Sequence, residues 1–140
     1  MKILLPFPKA IVMLSMCLSF VFAANLVKGQ TEEQTDNYWK FLAESATLVD
    51  VQYRFVECNG QNQIHLYLLN ENAMDQVAHF ELTIQDGGNT FTHTVNYKLN
   101  KGDIVAVFSC EADEALDALR IDLPDGYSTE TTRVNLSFIE

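Results

Sequence analysis

The sequence predicts an all-β protein, a two-sheet antiparallel β-sandwich of about seven strands, and three observations predict it. From Val49 onward the apolar residues recur with period two rather than 3.6, the repeat of a half-buried strand. Turn-forming pairs such as Asn59-Gly60, Gly87-Gly88 and Asp125-Gly126 interrupt that repeat at short intervals. Each alternating strand must hide one face, and two facing sheets hide each other's. A small barrel is the alternative closure.

The strands follow in order. Val49, Val51, Tyr53 and Phe55 alternate with Asp50, Gln52 and Arg54. Asn59-Gly60 tolerates the positive φ of a type I′ turn, so residues 61–70 return with Ile64, Leu66 and Leu68 on one face. A second meander sets Phe80, Leu82 and Ile84 before Gly87-Gly88, and Phe91, Val95, Tyr97 and Leu99 after it. Asn100-Lys101-Gly102 turns the chain into 104–108, apolar on both faces and therefore expected to run centrally or beneath a covering loop. Leu119, Ile121 and Leu123 make a sixth strand that Pro124 ends. The last runs over 131–139 with Val134, Leu136 and Phe138 inward. The expected core comprises Val51, Tyr53, Phe55, Ile64, Leu66, Leu68, Phe80, Leu82, Ile84, Val95, Ile104, Phe108, Ile121, Val134, Leu136 and Phe138.

Residues 1–29 read as a signal peptide. Lys2 and Lys9 precede an apolar run, Ala10 to Ala24, of about 15 residues, shorter than the ~20 that span a bilayer. Small residues then allow cleavage after Ala23 or after Gly29, the second leaving Gln30 first. An uncleaved anchor and a lipoprotein are the rivals, but Met16 is bulky for the residue before a lipidated Cys17. The expected location is secreted, periplasmic or cell-surface, with no stable membrane insertion after cleavage. In residues 30–48, Thr35 or Asp36 caps a short helix in which Trp39, Leu42, Ala46 and the following Val49 share a face, or the segment is an edge strand ending near Leu42. Either way Trp39 is expected to plug one end of the core, a ligand platform being the alternative. Residues 49–140 form the sandwich.

The 140-residue chain carries a formal charge of −10. All nineteen acids follow Gly29, while Lys2, Lys9 and Lys28 precede the second cleavage site, so six basic residues remain against nineteen acids, a net of −13. Such a surface repels phosphate backbones, and no nucleic-acid partner is expected. With Cys17 removed, Cys58 and Cys110 are the two thiols left in an oxidising compartment, which predicts a disulfide between them.

The succession Val51-Gln52-Tyr53-Arg54, Cys58-Asn59-Gly60, Asn70-Glu71-Asn72, Lys101-Gly102, Cys110 and Leu119 to Pro124 resembles small secreted β-sandwich proteins of Bacteroidota-type bacteria. Those are similar to immunoglobulin-like and fibronectin type III-like domains. The resemblance covers most of the mature chain and implies a fold and a compartment, with no catalytic residues. No tryptophan follows Cys58 and both cysteines sit at strand ends, so the mid-core bridge of antibody domains is not expected.

Chemistry-bearing constellations are sparse. His65, His79 and His93 lie fourteen apart, inviting a zinc or copper reading, but parity sends His65 and His79 to outer faces and His93 inward or to the rim. Glu111, Asp113, Glu114 and Asp117 suit calcium in charge and lack EF-hand spacing, so a solvated acidic loop or short helical turn is expected. No nucleophile–base motif or Gly-rich phosphate loop is present, and the expectation is a non-enzyme without metal or cofactor. Asn135-Leu136-Ser137 matches a glycosylation sequon within a predicted strand.

The function expected is a secreted, non-enzymatic module that binds a protein or a glycan. Its surface is the outer face of the second strand, His65, Tyr67 and Leu69, with Tyr127 as a sugar contact. The same strip could instead be covered by the N-terminal segment. The alternative function is an inhibitor or regulator of an extracellular enzyme, which would have the 70–76 and 124–130 loops protruding together from one end.

Overall fold

The computed structural model describes residues 38–139. The signal segment with its cleavage sites, Cys17 and the capping residues Thr35 and Asp36 lie outside the described residues. Eight strands and one short 3-10 helix follow: β1 (Lys40–Glu44), β2 (Val49–Cys58), β3 (Gln61–Asn70), β4 (Gln76–Asp86), β5 (Asn89–Leu99), β6 (Ile104–Ala106), the helix Glu114–Leu119, β7 (Arg120–Asp122) and β8 (Arg133–Phe138). They form two antiparallel sheets, an all-β sandwich. One has the order β1-β2-β3-β6, with β7 also on β3, and the other the order β5-β4-β8.

The hairpins form where the turn residues require them. Asn59 (φ 54°) and Gly60 (φ 80°) both take the left-handed conformation, as a type I′ turn demands, and Cys58 pairs with Gln61 directly across it. Gly87-Gly88 joins the paired Asp86 and Asn89 in the same two-residue way. Of the two forms weighed for the segment around Trp39, the structure has a strand, β1, antiparallel to β2 with a register shift between Phe41 and Ala43.

The core lies between the sheets. Val51, Ile64, Leu66 and Leu68 from one meet Phe80, Leu82, Ile84 and Val95 from the other, and Leu119, Ile121 and Leu123 close one side. Tyr53, Phe55, Leu136 and Phe138 are half-buried at its margin. Two expected core residues are not there. Ile104 is 60% and Phe108 68% exposed, because Val105 opposes the inward Leu68 and Val107 is buried, so the inward parity belongs to 105 and 107. Nor does this strand run centrally. It pairs with β3 over three residues and then leaves the ladder.

That departure positions the site. β6 and β7 occupy the same edge of β3, β6 beside Tyr67–Leu69 and β7 beside Gln63–His65. Between them residues 107–119 make an excursion, closed by the Cys58–Cys110 disulfide and by the 3-10 helix, which Asp113 caps by accepting the Ala115 N–H at 3.0 Å. The bridge ties the end of β2 to an excursion from the same sheet.

Candidate functional site

The outer face of the five-stranded sheet is lined by rows of side chains that the pairing register sets across the strands. Glu44, Asp50, Leu69 and Ile104 form the first row, and Phe41, Gln52, Tyr67 and Ala106 the second. Arg54, His65 and Arg120 form the third. Residues directly opposite in an antiparallel ladder share a face, so each row is a physical neighbourhood.

In the third row His65 faces outward, as its parity requires, yet it is wholly buried. The expectation that it belongs to an accessible binding surface is therefore corrected: the excursion after β6 covers it. Arg54 donates to the Val107 and Phe108 carbonyls at 3.2 and 2.9 Å, and Arg120 donates to the carbonyls of Ser109 and Glu111. The two guanidinium groups thus hold the excursion down over the imidazole. His65 Nε2 lies 3.0 Å from Gln63 Oε1 and 3.8 Å from Cys58 Sγ. Burial first, and then the Arg54 and Arg120 charges, push its pKa down from 6.5 to about 4, against a smaller opposing influence of the Val107 backbone. At neutral pH the ring is uncharged.

Above the second row sits Trp39. Its ring lies 4.6 Å from the Arg54 guanidinium carbon, 5.5 Å from the Tyr67 ring and 6.1 Å, edge-on, from Phe108. Trp39 therefore caps this outer face instead of plugging an end of the core. Tyr67 and Leu69 point outward and are half-buried. Of the two readings of their strip, cover by the N-terminal segment describes Tyr67. The cover is itself aromatic and open: Phe41 is 62% and Phe108 68% exposed, and Ile104 continues the patch along the first row.

At the other end of that first row the carboxylates of Glu44, Asp50 and Glu71 offer oxygens within 4.8 Å of one another. One Asp50 oxygen is shut off from solvent without a hydrogen-bond partner. Sequence reasoning missed this trio because Glu71 joins it only through the bend after β3, where its N–H donates to the Leu48 carbonyl at 2.9 Å.

The remaining predicted site residues are dispersed. Tyr127, expected in an exposed turn, is buried, its ring edge-on to Phe91 at 5.5 Å, so it is not placed for sugar contact. Its neighbours in the loop are drawn inward by Asp86, which accepts from the Ser128 N–H at 2.7 Å and the Thr131 hydroxyl at 2.6 Å. Those bonds hold the Asp86 carboxyl below its ordinary pKa. His79 and His93 lie on β4 and β5, in the sheet that does not contain His65. Of the acids in 111–117, Glu111, Asp113 and Glu114 border an open cleft of about 380 Å³ that also includes Phe108 and Arg120. The 70–76 loop follows β3 and precedes β4, whereas the 124–130 loop is fastened to Asp86 at the far end of β4. The two loops thus lie at opposite ends.

Arg54, Arg120 and Asn70 were not foreseen as organising residues. Buried Asn70 donates to the Met74 and Asn100 carbonyls at 2.9 and 2.8 Å and accepts from the Asn72 N–H at 3.0 Å, fixing two loops at once. The signal that could have found Arg54 was a cation amid the outward positions of a strand beside Trp39. Comparison with protein-family models, with curated proteins and with solved structures finds no match.

Proposed function

We propose that this domain is an exported, non-enzymatic binding module whose contact surface is the outer face of the five-stranded sheet, engaging a protein or a glycan. The observation that carries the reading is the grouping of Phe41, Phe108 and Ile104, each more than half exposed, with the Trp39–Tyr67 stack on one face. Exposed large apolar side chains grouped on one face mark an interaction surface. The patch is also preorganised, since the Arg54 hydrogen bonds and the disulfide fix the excursion that carries Phe108. Export accords with the disulfide between Cys58 and Cys110, and no helix among the described residues is long and apolar enough to cross a membrane.

The alternative, an enzyme inhibitor that inserts paired loops, has less support because its two loops lie at opposite ends of the sandwich. Paired variants test the surface. Phe41→Ser with Phe108→Ser should abolish capture of partners by cross-linking in the producing cell and any signal on a glycan panel. Val77→Ser with Met74→Ser, equally exposed apolar residues elsewhere, should leave both intact. Retained binding in the first pair would overturn the assignment of the surface.

A further inference from the structure

We propose that the Cys58–Cys110 bridge is a site of thiol–disulfide exchange with an incoming dithiol, and that its opening releases residues 107–111 and with them the part of the face that carries Phe108. The exchange follows from the surroundings of the bridge; its consequence for binding rests on the outer face being the contact surface. The two cysteines are unlike. Cys110 is exposed, whereas Cys58 is 4% exposed and lies on the outer side of its sheet, apart from the cluster that fills the space between the sheets. Exposed bridges are the ones that thiols reach in a folded protein.

Unequal surroundings give the exchange a direction. A thiolate of the dithiol attacks Cys110 Sγ and forms a mixed disulfide there, while the bond between the two cysteine sulfurs breaks and its electron pair leaves on Cys58. Cys58 Sγ lies 3.8 Å from His65 Nε2. Gln63 Nε2 donates to Asp122 at 2.7 Å, so its Oε1 is the atom that faces His65 Nε2 at 3.0 Å, and that ring nitrogen carries the proton. The Nε2–H is thus a donor beside the leaving thiolate, and a hydrogen bond to an anion is stronger than one to a neutral amide. The second thiol then attacks the mixed disulfide and frees Cys110. The dithiol ends as a disulfide, and its two electrons and two protons end on the two cysteines.

The cover that the bridge restrains is imperfectly satisfied. Arg54 Nε and Arg120 Nε, in the row of His65, are shut off from solvent without a hydrogen-bond partner. Dry donors of this kind cost free energy that water would restore. The bonds from Arg54 and Arg120 to the carbonyls of Val107, Phe108, Ser109 and Glu111 oppose opening, but water can replace each of them and cannot replace the bridge. Cutting the bridge lets the cover lift, wets both donors and carries Phe108 away from Trp39, its edge-on neighbour at 6.1 Å. The cluster between the sheets contains neither cysteine and stays packed.

Trp39 is the only tryptophan of the chain and so reports on the cover. The exported protein, without denaturant, is treated with dithiothreitol at about pH 8, where thiolate is abundant, while thiol release, tryptophan emission and far-ultraviolet circular dichroism are followed together. Thiols should appear and the emission should shift, with the sheet signal unchanged. With 2-mercaptoethanol as the probe, followed by acid quench and maleimide blocking, mass spectrometry should place the adduct on Cys110. His65→Phe, which keeps a ring and removes the donor, should slow reduction about tenfold, whereas a merely loosened fold would speed it. Reduction no faster than global unfolding, an adduct on Cys58, or a His65 variant reduced as fast as the parent would overturn the exchange. Loss of the sheet signal on reduction would make the bridge a staple of the fold, and reduction without a change in emission would leave the cover in place; either overturns the release. None of these outcomes touches the surface assignment, which stands or falls with Phe41→Ser/Phe108→Ser.

Discussion

His65 shows how one residue's environment sets a property of the whole fold. Its native pKa of about 4 lies below the ordinary 6.5, so as pH falls the unfolded chain takes up a proton that the native state refuses. The stability His65 contributes is complete above about pH 6.5 and is lost progressively down to about pH 4, where the native ring also protonates. Between pH 7.5 and 5 the unfolding free energy should drop by about 2 kcal/mol from this group, as measured by urea titration. His65→Gln should flatten that slope whatever its effect at pH 7.5. Asp86 acts with the opposite group type in a lower window: its depressed carboxyl contributes above its ordinary value of 3.8 and loses that contribution as pH falls further. An unchanged slope in the His65 variant would place the titration elsewhere.

Among the elements, β3 carries the most. It pairs with β2 along its full length and with β6 and β7 along its other edge, and it supplies Ile64, Leu66 and Leu68 to the core. Leu66→Ala should cost about 2–5 kcal/mol in denaturant unfolding, through lost burial and the cavity left in a closely packed interior. Ile104→Ser, on a strand of three residues with its side chain in solvent, should change stability by less than about 0.5 kcal/mol. The contrast is informative because both residues lie within a run of apolar side chains. If Ile104→Ser were as costly as Leu66→Ala, β6 would be one residue out of register. Turn chemistry explains why the β2–β3 register is secure: Asn59 and Gly60 admit the left-handed φ that fixes a two-residue hairpin.

For the molecule as a whole, the disulfide links the end of β2 to a point 52 residues later. In the chain-entropy model a loop of that length contributes about 4 kcal/mol, a large share of the 5–15 typical of a domain. The bridge also anchors the excursion that buries His65 and presents Phe108, so it acts on the binding face as well as on the unfolded ensemble. Protein recovered from the exporting cell should show no titratable thiol when denatured without reductant, and its N-terminal sequence should begin at Gln30 or Ala24. A chain retaining Met1, or two free thiols, would contradict export and processing.

Much of the fold was legible in the order of residues because its determinants are local. Alternation assigns inward parity to Val51, Ile64, Leu66, Leu68, Phe80, Leu82 and Ile84, and Asn-Gly and Gly-Gly pairs fix the hairpins, since each depends only on neighbours in the chain. The same alternation sent His65, Tyr67 and Leu69 outward, which the register bears out. Where all residues in a run are apolar, as in 104–108, alternation carries no information, and the choice of Val105 and Val107 over Ile104 and Phe108 as inward residues had to wait for pairing with β3. Whether an outward residue is wet depends on chain that is distant in sequence. Trp39 covers Tyr67, residues 107–111 seal His65, and the bend at Glu71 brings a third carboxylate to Glu44 and Asp50. The sequence by itself determined the strands from Val49 onward, their turns and the two cysteines that pair; only the tertiary structure decided that Lys40–Glu44 is a strand and which part of the outer face is buried, because burial is set by long-range packing and not by the period of a strand.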